Sequence, residues 1–161
     1  MKKLTKEQVA IIGAYTGITC GPFSDIHRLA EKLLERTKLK LLMKNLKVLR
    51  VCSEVLEFEN GFKLYSEHRQ DCCEDHYLSF DDLSMDDFDG LQFDLSNDNF
   101  FKKIEGYGIE LIPIEGHSIK IPGYGSNNGY YSSNLELVLT DDKGFTKEFD
   151  ITECQSQKDW A

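Results

Sequence analysis

An α+β fold, with an N-terminal helical segment packed on or joined to a mainly antiparallel β-sheet domain, is predicted by three features of this 161-residue sequence. Apolar residues recur at helical spacing through the first part of the chain. From about residue 48 the pattern changes to alternation, which places every second side chain on one face of a strand. Turn chemistry then divides the alternating stretches, most clearly at Asn60-Gly61, a strong short hairpin signal. The division is drawn as a helical segment over residues 1–45 and a β-rich domain over 46–161, with an acidic insertion at 70–101.

The elements follow in order. Thr5-Lys6-Glu7-Gln8 fits a capping box, and Val9, Ile12 and Tyr15 supply an apolar face, so a helix is expected over about residues 6–15. Gly17 and Gly21-Pro22 end it. Ser24 or Asp25 can cap a second helix, where Ile26, Leu29, Ala30, Leu33 and Leu34 share helical spacing and Arg28, Lys32 and Arg36 step along another face. KLKLLMKNLKVLRV, residues 38–51, suits a short helix passing into a strand near Val48. Leu56 and Phe58, then Phe62 and Leu64, flank the Asn60-Gly61 turn. IELIPIEGHSIKIP implies two more strands, with Pro113 and Pro122 confined to edges or ends because proline lacks a ladder donor. Leu135, Leu137 and Leu139 alternate before Asp141-Asp142-Lys143-Gly144, and Phe145, Phe149 and Ile151 complete a second hairpin.

Composition bounds the function. With 40% apolar and 11% aromatic residues the chain can build a core. No apolar run reaches the roughly 18–20 residues of a membrane span, and MKKLTKEQ lacks the apolar region of a secretory signal. Five cysteines without an export signal are expected as cytosolic thiols. The net charge of −9 divides into +7 over residues 1–50 and −16 over residues 51–161. Residues 70–101 contain ten acids and no Lys or Arg, interleaved with Leu83, Phe88, Leu91 and Phe93. The apolar residues are expected to fold this stretch onto the domain, leaving Asp81, Asp82, Asp86, Asp87 and Asp89 on display. Such a surface repels nucleic acid and favours a basic protein groove.

HRQDCCEDHYLSFDD, residues 68–82, carries the most suggestive side chains. In a helix, His68, Cys72 and His76 would share one face with Cys73 beside them, a donor set suited to zinc. In a strand, Cys72, Glu74 and His76 would face one way and Asp71, Cys73 and Asp75 the other. A disulfide between adjacent cysteines closes a strained ring, and the flanking acids oppose a reactive thiolate. MDDFDG fails as a calcium loop, because Met85 and Ser96 stand where the first and last ligands should be. GYGSNNGYYSSN, residues 123–134, lacks the Gly-Lys-Ser/Thr ending of a phosphate loop. Its glycines are expected to permit tight turns. Tyr130 and Tyr131 are expected on opposite faces of a strand, one of them outward as a partner contact.

Two segments resemble phage sequences. TKEQVAIIGAYTGITCGPFSDIHRLAEKLLERT resembles a short N-terminal module of phage and prophage proteins of unknown function. The stretch from DCCEDHYL through YGSNNGYYSSNLEL resembles a second uncharacterised phage family, whose loop here carries an extra Asn at Asn127-Asn128. The resemblance implies a phage or prophage accessory protein of the bacterial cytoplasm. Small acidic proteins of that origin are often inhibitors of host defence, including anti-CRISPR proteins that occlude a nucleic-acid channel. The leading expectation is therefore a non-enzymatic binder of a host defence protein with a basic nucleic-acid-binding surface, such as a Cas9-like effector. The alternatives are a sponge that holds a nucleotide defence signal and a small zinc-stabilised protein of other function.

Overall fold

The computed structural model describes residues 23–157, and their side chains over residues 27–156. The helix expected at 6–15 lies outside the described residues. The chain forms two compact units, Met1–Leu42 and Met43–Ala161. In the first, helix α1 runs Phe23–Leu42. Ser24 and Asp25 lie inside its described span rather than ahead of it. No glycine or proline interrupts this span, so the helical part of the 38–51 segment simply continues α1. Asn45 then takes a left-handed backbone, φ 55°, and the chain enters a strand at Val48 as the sequence pattern predicts.

The second unit holds two sheets, not one. The first is fully antiparallel, in the order β1 (Val48–Val51), β2 (Val55–Phe58), β3 (Lys63–Glu67), β8 (Glu136–Thr140), β9 (Thr146–Asp150). Both expected hairpins are its components. Leu56 pairs with Leu64 across the turn at Glu59–Gly61, where Asn60 and Gly61 adopt φ of 61° and 78°. At the second turn Asp141 Oδ1 accepts hydrogen bonds from the backbone N–H groups of Lys143 and Phe145. Leu56, Leu64, Leu137 and Leu139 are sealed from solvent. Burying each contributes about 1.5–3 kcal/mol relative to exposure. Val138 is buried as well, so the interior strand β8 is covered on both faces.

The second sheet is built around β7 (Ile119–Ser126), flanked by β6 (Gly108–Leu111) and then β5 (Phe101–Ile104). The farther end of β7 pairs with β4 (Asp75–Leu78) and, in parallel, with the short β10 (Ser156–Gln157). Pro113 falls just beyond β6. Pro122 lies within β7, where its carbonyl accepts from the Ser79 N–H at 2.9 Å just past the end of β4. Its ring nitrogen therefore faces the side on which that ladder has stopped. The α+β class is observed, and the antiparallel character holds apart from the β7–β10 pair.

The acidic stretch folds onto this framework. Leu46 and Phe93 exchange backbone hydrogen bonds of 2.9 and 2.8 Å, and Leu95 N–H donates to Met43 O. Phe80, Phe88, Leu91 and Phe93 are buried. Phe93 meets the rings of Phe58 and Phe88 at 5.8 and 6.3 Å. Aromatic burial fixes the segment while most of its carboxylates stay in water.

Candidate functional site

Residues 68–76 adopt neither of the regular conformations weighed from sequence. His68 follows β3, residues 71–74 form a turn, and regular strand begins only at Asp75. Glu74 makes the turn. Its carboxylate accepts from the N–H groups of Asp71 and Cys72, while Gln70 Nε2 donates to the carbonyls of Cys72 and Glu74. Burial pushes the Glu74 carboxyl upward, but the backbone donors of Asp71, Glu74 and Cys72, with His68 behind them, outweigh it and hold the group below its ordinary value. Cys72 and Cys73 are left exposed as thiols on the tip of this turn. The neighbouring Cys72 pushes the Cys73 thiol up, followed by desolvation, so a ready thiolate is disfavoured.

Beneath the turn, His68 and His76 meet with ring centroids 4.5 Å apart and planes inclined by 61°. His68 Nδ1 lies 2.6 Å from Asn134 O and His76 Nδ1 lies 2.5 Å from Gln155 Oε1. A carbonyl oxygen only accepts, so His68 Nδ1 is the donor of this bond. Gln155 Nε2 already donates to Ser133 O and Thr152 O, which leaves its oxygen to accept from His76. The Nε2 atoms of both rings are buried with no hydrogen-bond partner among the described residues. His68 Nε2 faces Glu74 Oε1 at 3.7 Å. The pair joins β4, the end of the Gly-Tyr loop and the Thr152–Cys154 turn.

The zinc set is thus divided. Two of its members, His68 and His76, come together in the interior, while Cys72 and Cys73 remain on the surface turn. Among the described residues no three or more His, Cys, Asp or Glu side chains are arranged to hold a metal ion. The physical reason is Glu74. Its caps fold residues 71–74 outward and prevent the helical stacking that would align the four donors.

The Gly-Tyr loop also departs from expectation. Gly123 and Gly125 lie inside β7, not in turns. A Cβ at Gly123 would stand 2.4 Å from Cys154 O, and one at Gly125 would stand 2.4 Å from Gln155 Oε1 and 2.8 Å from His76 Nδ1. Close approach requires these glycines. Only Gly129, with φ 86°, serves a turn. Tyr130 and Tyr131 begin no strand, and neither enters the core: Tyr130 is 90% exposed. Asn127 holds the loop by donating to Tyr131 O and accepting from Gly129 N–H. The Cys72 thiol beside Tyr131 pushes its phenol up, and the carboxylate that adds to this is Glu74 rather than the Asp81–Asp89 acids. The DCCE and GYYS segments, 50 or more residues apart in the chain, therefore form one clasp. A cavity of about 200 Å³ opens beside it, lined by His76, Gly125, Asn127, Ser133, Thr152, Glu153 and Gln155.

Of the predicted acids, Asp86 and Asp87 lie in a 3-10 turn over Met85–Phe88, Asp89 caps its end, and Asp81 and Asp82 sit on a separate turn before it. Asp81, Asp82, Asp86 and Asp89 are exposed. Asp87 is different: its Oδ2 accepts from Ser84 N–H at 2.7 Å and Ser84 Oγ–H at 2.9 Å. These two bonds, aided by His117, hold the Asp87 carboxyl below its ordinary value. It organises the turn that presents Asp86 and Asp89.

Residues 6–39 match the model of a family described as a domain of unknown function (DUF7736). This match covers about a fifth of the chain and lies where the N-terminal module was read. No curated protein and no solved structure matches the sequence or the fold. No helix among the described residues is long and apolar enough to cross a membrane.

Proposed function

We propose that this chain is a non-enzymatic inhibitor of phage or prophage origin that binds a bacterial defence complex by competing with nucleic acid for a basic groove. A Cas9-like effector is the instance that the sequence resemblance favours, and the bacterial cytoplasm is where it would act. The observation that carries the reading is the ordered presentation of Asp81, Asp82, Asp86 and Asp89 above buried Phe80, Phe88, Leu91 and Phe93. Carboxylates held on a rigid base lose little freedom on docking, and their field steers a cationic partner. The exposed Tyr130 ring and the nearby Tyr131 offer a second contact area on the clasp.

A purified Cas9-type effector, its guide and labelled target DNA provide the test. The native chain is expected to abolish DNA binding at low salt and to weaken as salt rises. The triple variant Asp82→Lys/Asp86→Lys/Asp89→Lys is expected to keep its fold by circular dichroism and to leave DNA binding intact. A folded triple variant that still blocks the effector sinks the reading.

The second reading, capture of a nucleotide signal at the Gly-Tyr loop, draws on the cavity beside His76. The side-chain amides of Asn127 and Gln155 already bond within the protein, which favours the first reading. Mass spectrometry of material released by heating the purified chain discriminates them. A nucleotide recovered at one per chain would favour the sponge.

A further inference from the structure

The acidic face continues into an apolar feature that the sequence reading did not single out. After β6, Ile112 N–H donates to Phe100 O and Ile114 N–H to Gln92 O, both at 2.8 Å. Strand β6 ends at Leu111 and the chain bends over residues 114–116, but the alternation of buried and exposed side chains carries on through Ile114. Ile109, Leu111 and Pro113 point into the core. Ile112 and Ile114 point out, 39% and 48% exposed. Outward positions of a half-buried strand are ordinarily polar, and neither isoleucine has a role in the core. Between them lies a hollow of about 250 Å³, lined by Phe100 and Pro113 with Asp94, Asn97 and Asn99.

The same segment runs alongside the acidic turn. His117 Nε2 is 3.2 Å from Asp87 O, and a Cβ on Gly116 would stand 2.7 Å from Leu91 Cδ2. Asp94 stands in the wall of the hollow and Glu115 follows Ile114 in the chain, and the next residues, Gly116 and His117, pack on the segment that carries Asp86 and Asp89. Asp98 is engaged by Lys147, and Asp94 accepts from Ser96.

We infer that Ile112, Ile114 and the hollow between them form an apolar anchor seat within the acidic face, shaped for a basic segment of the partner protein that carries an aliphatic side chain between Lys or Arg residues. This rests on the acidic-face reading and adds the source of its affinity. Exposed charge pairs across an interface govern encounter and selection, and a buried aliphatic anchor supplies most of the holding energy. Nucleic acid does not fit the seat, because its phosphates meet the same carboxylates.

Two synthetic peptides test the seat, Lys-Arg-Leu-Arg-Lys and the same peptide with Ala at the centre, titrated into the full chain by fluorescence anisotropy. The Leu peptide is expected to bind about tenfold tighter, the effect of burying part of one aliphatic side chain. In Ile112→Ser/Ile114→Ser the two peptides are expected to bind alike, with the salt-sensitive component retained. An equal Leu preference in native and double-serine proteins overturns the seat, as does failure of both peptides to bind the native chain. The triple lysine variant separates the two readings. Loss of both peptides there, with no Leu preference in the native chain, retains the acidic face and rejects the seat. Undiminished binding there, with the Leu preference intact, rejects the acidic face and retains the seat.

Discussion

Glu74 decides the character of the DCCE segment, and it does so as a single side chain. By capping Asp71 and Cys72 it turns both cysteines outward, while its buried carboxylate lies against His68. Its folded-state value is held below the ordinary 4.5. The stability it contributes is therefore present above that pH and is lost as pH falls through the folded value. Melting temperature is expected to drop as pH falls below the ordinary 4.5, and Glu74→Gln should remove part of that drop. An unchanged profile in the variant would show that other carboxylates carry the acid sensitivity. The glycines offer a second test. Gly123→Ala and Gly125→Ala place a Cβ against Cys154 O and the His76–Gln155 bond, so each should cost about 1–3 kcal/mol in urea unfolding. At Gly129 nothing lies within 4 Å, and Gly129→Ala should cost only about 1 kcal/mol through its positive φ. Equal losses at the three positions would contradict the close approach. Sequence revealed that these residues were special but assigned Gly123 and Gly125 to turns, because the obstructing atoms come from residues 76 and 154–155.

Among the elements, the two hairpins were the most legible, since period-two burial and turn residues are both local. Their tips meet in the folded sheet, where Lys63 and Asp142 pair at 3.5 Å. A Cβ on Gly61 would stand 2.6 Å from Asp142 Oδ2. Gly61→Ala should cost about 1–2 kcal/mol, chiefly through its left-handed φ, because the exposed Asp142 side chain can move aside. The acidic 3-10 turn was legible only in part. Its apolar residues announced that it would fold inward, yet nothing local distinguished Asp87 from its neighbours. Ser84→Ala removes the hydroxyl that donates to Asp87, and the Asp87 value should rise toward its ordinary 3.8. Carboxyl chemical shifts followed over acid pH would detect this, and an unmoved Asp87 would assign its low value to the backbone N–H instead. The partition of strands between two sheets was also hidden, because register between distant strands depends on what each finds on its far side.

For the whole molecule, the division of charge leaves the β-rich unit free to act as one strongly acidic body whose core is sealed by leucines and phenylalanines. The divided donor set predicts that dialysis against a chelator leaves the melting temperature within about 2 °C, and that elemental analysis finds no stoichiometric zinc. Stoichiometric zinc lost on Cys72→Ser would mean that the turn refolds to gather its thiols. The sequence by itself determined the α+β class, the hairpins, the inward folding of residues 70–101 and the acidic composition of that surface. These follow from periodicity, turn chemistry and charge, which act over a few neighbouring residues. Only the tertiary structure decided that the two histidines meet without the cysteines, that DCCE closes against GYYS, and that Ile112 and Ile114 stand beside the acids. Each of these joins segments many residues apart, where packing rather than local preference selects the partner.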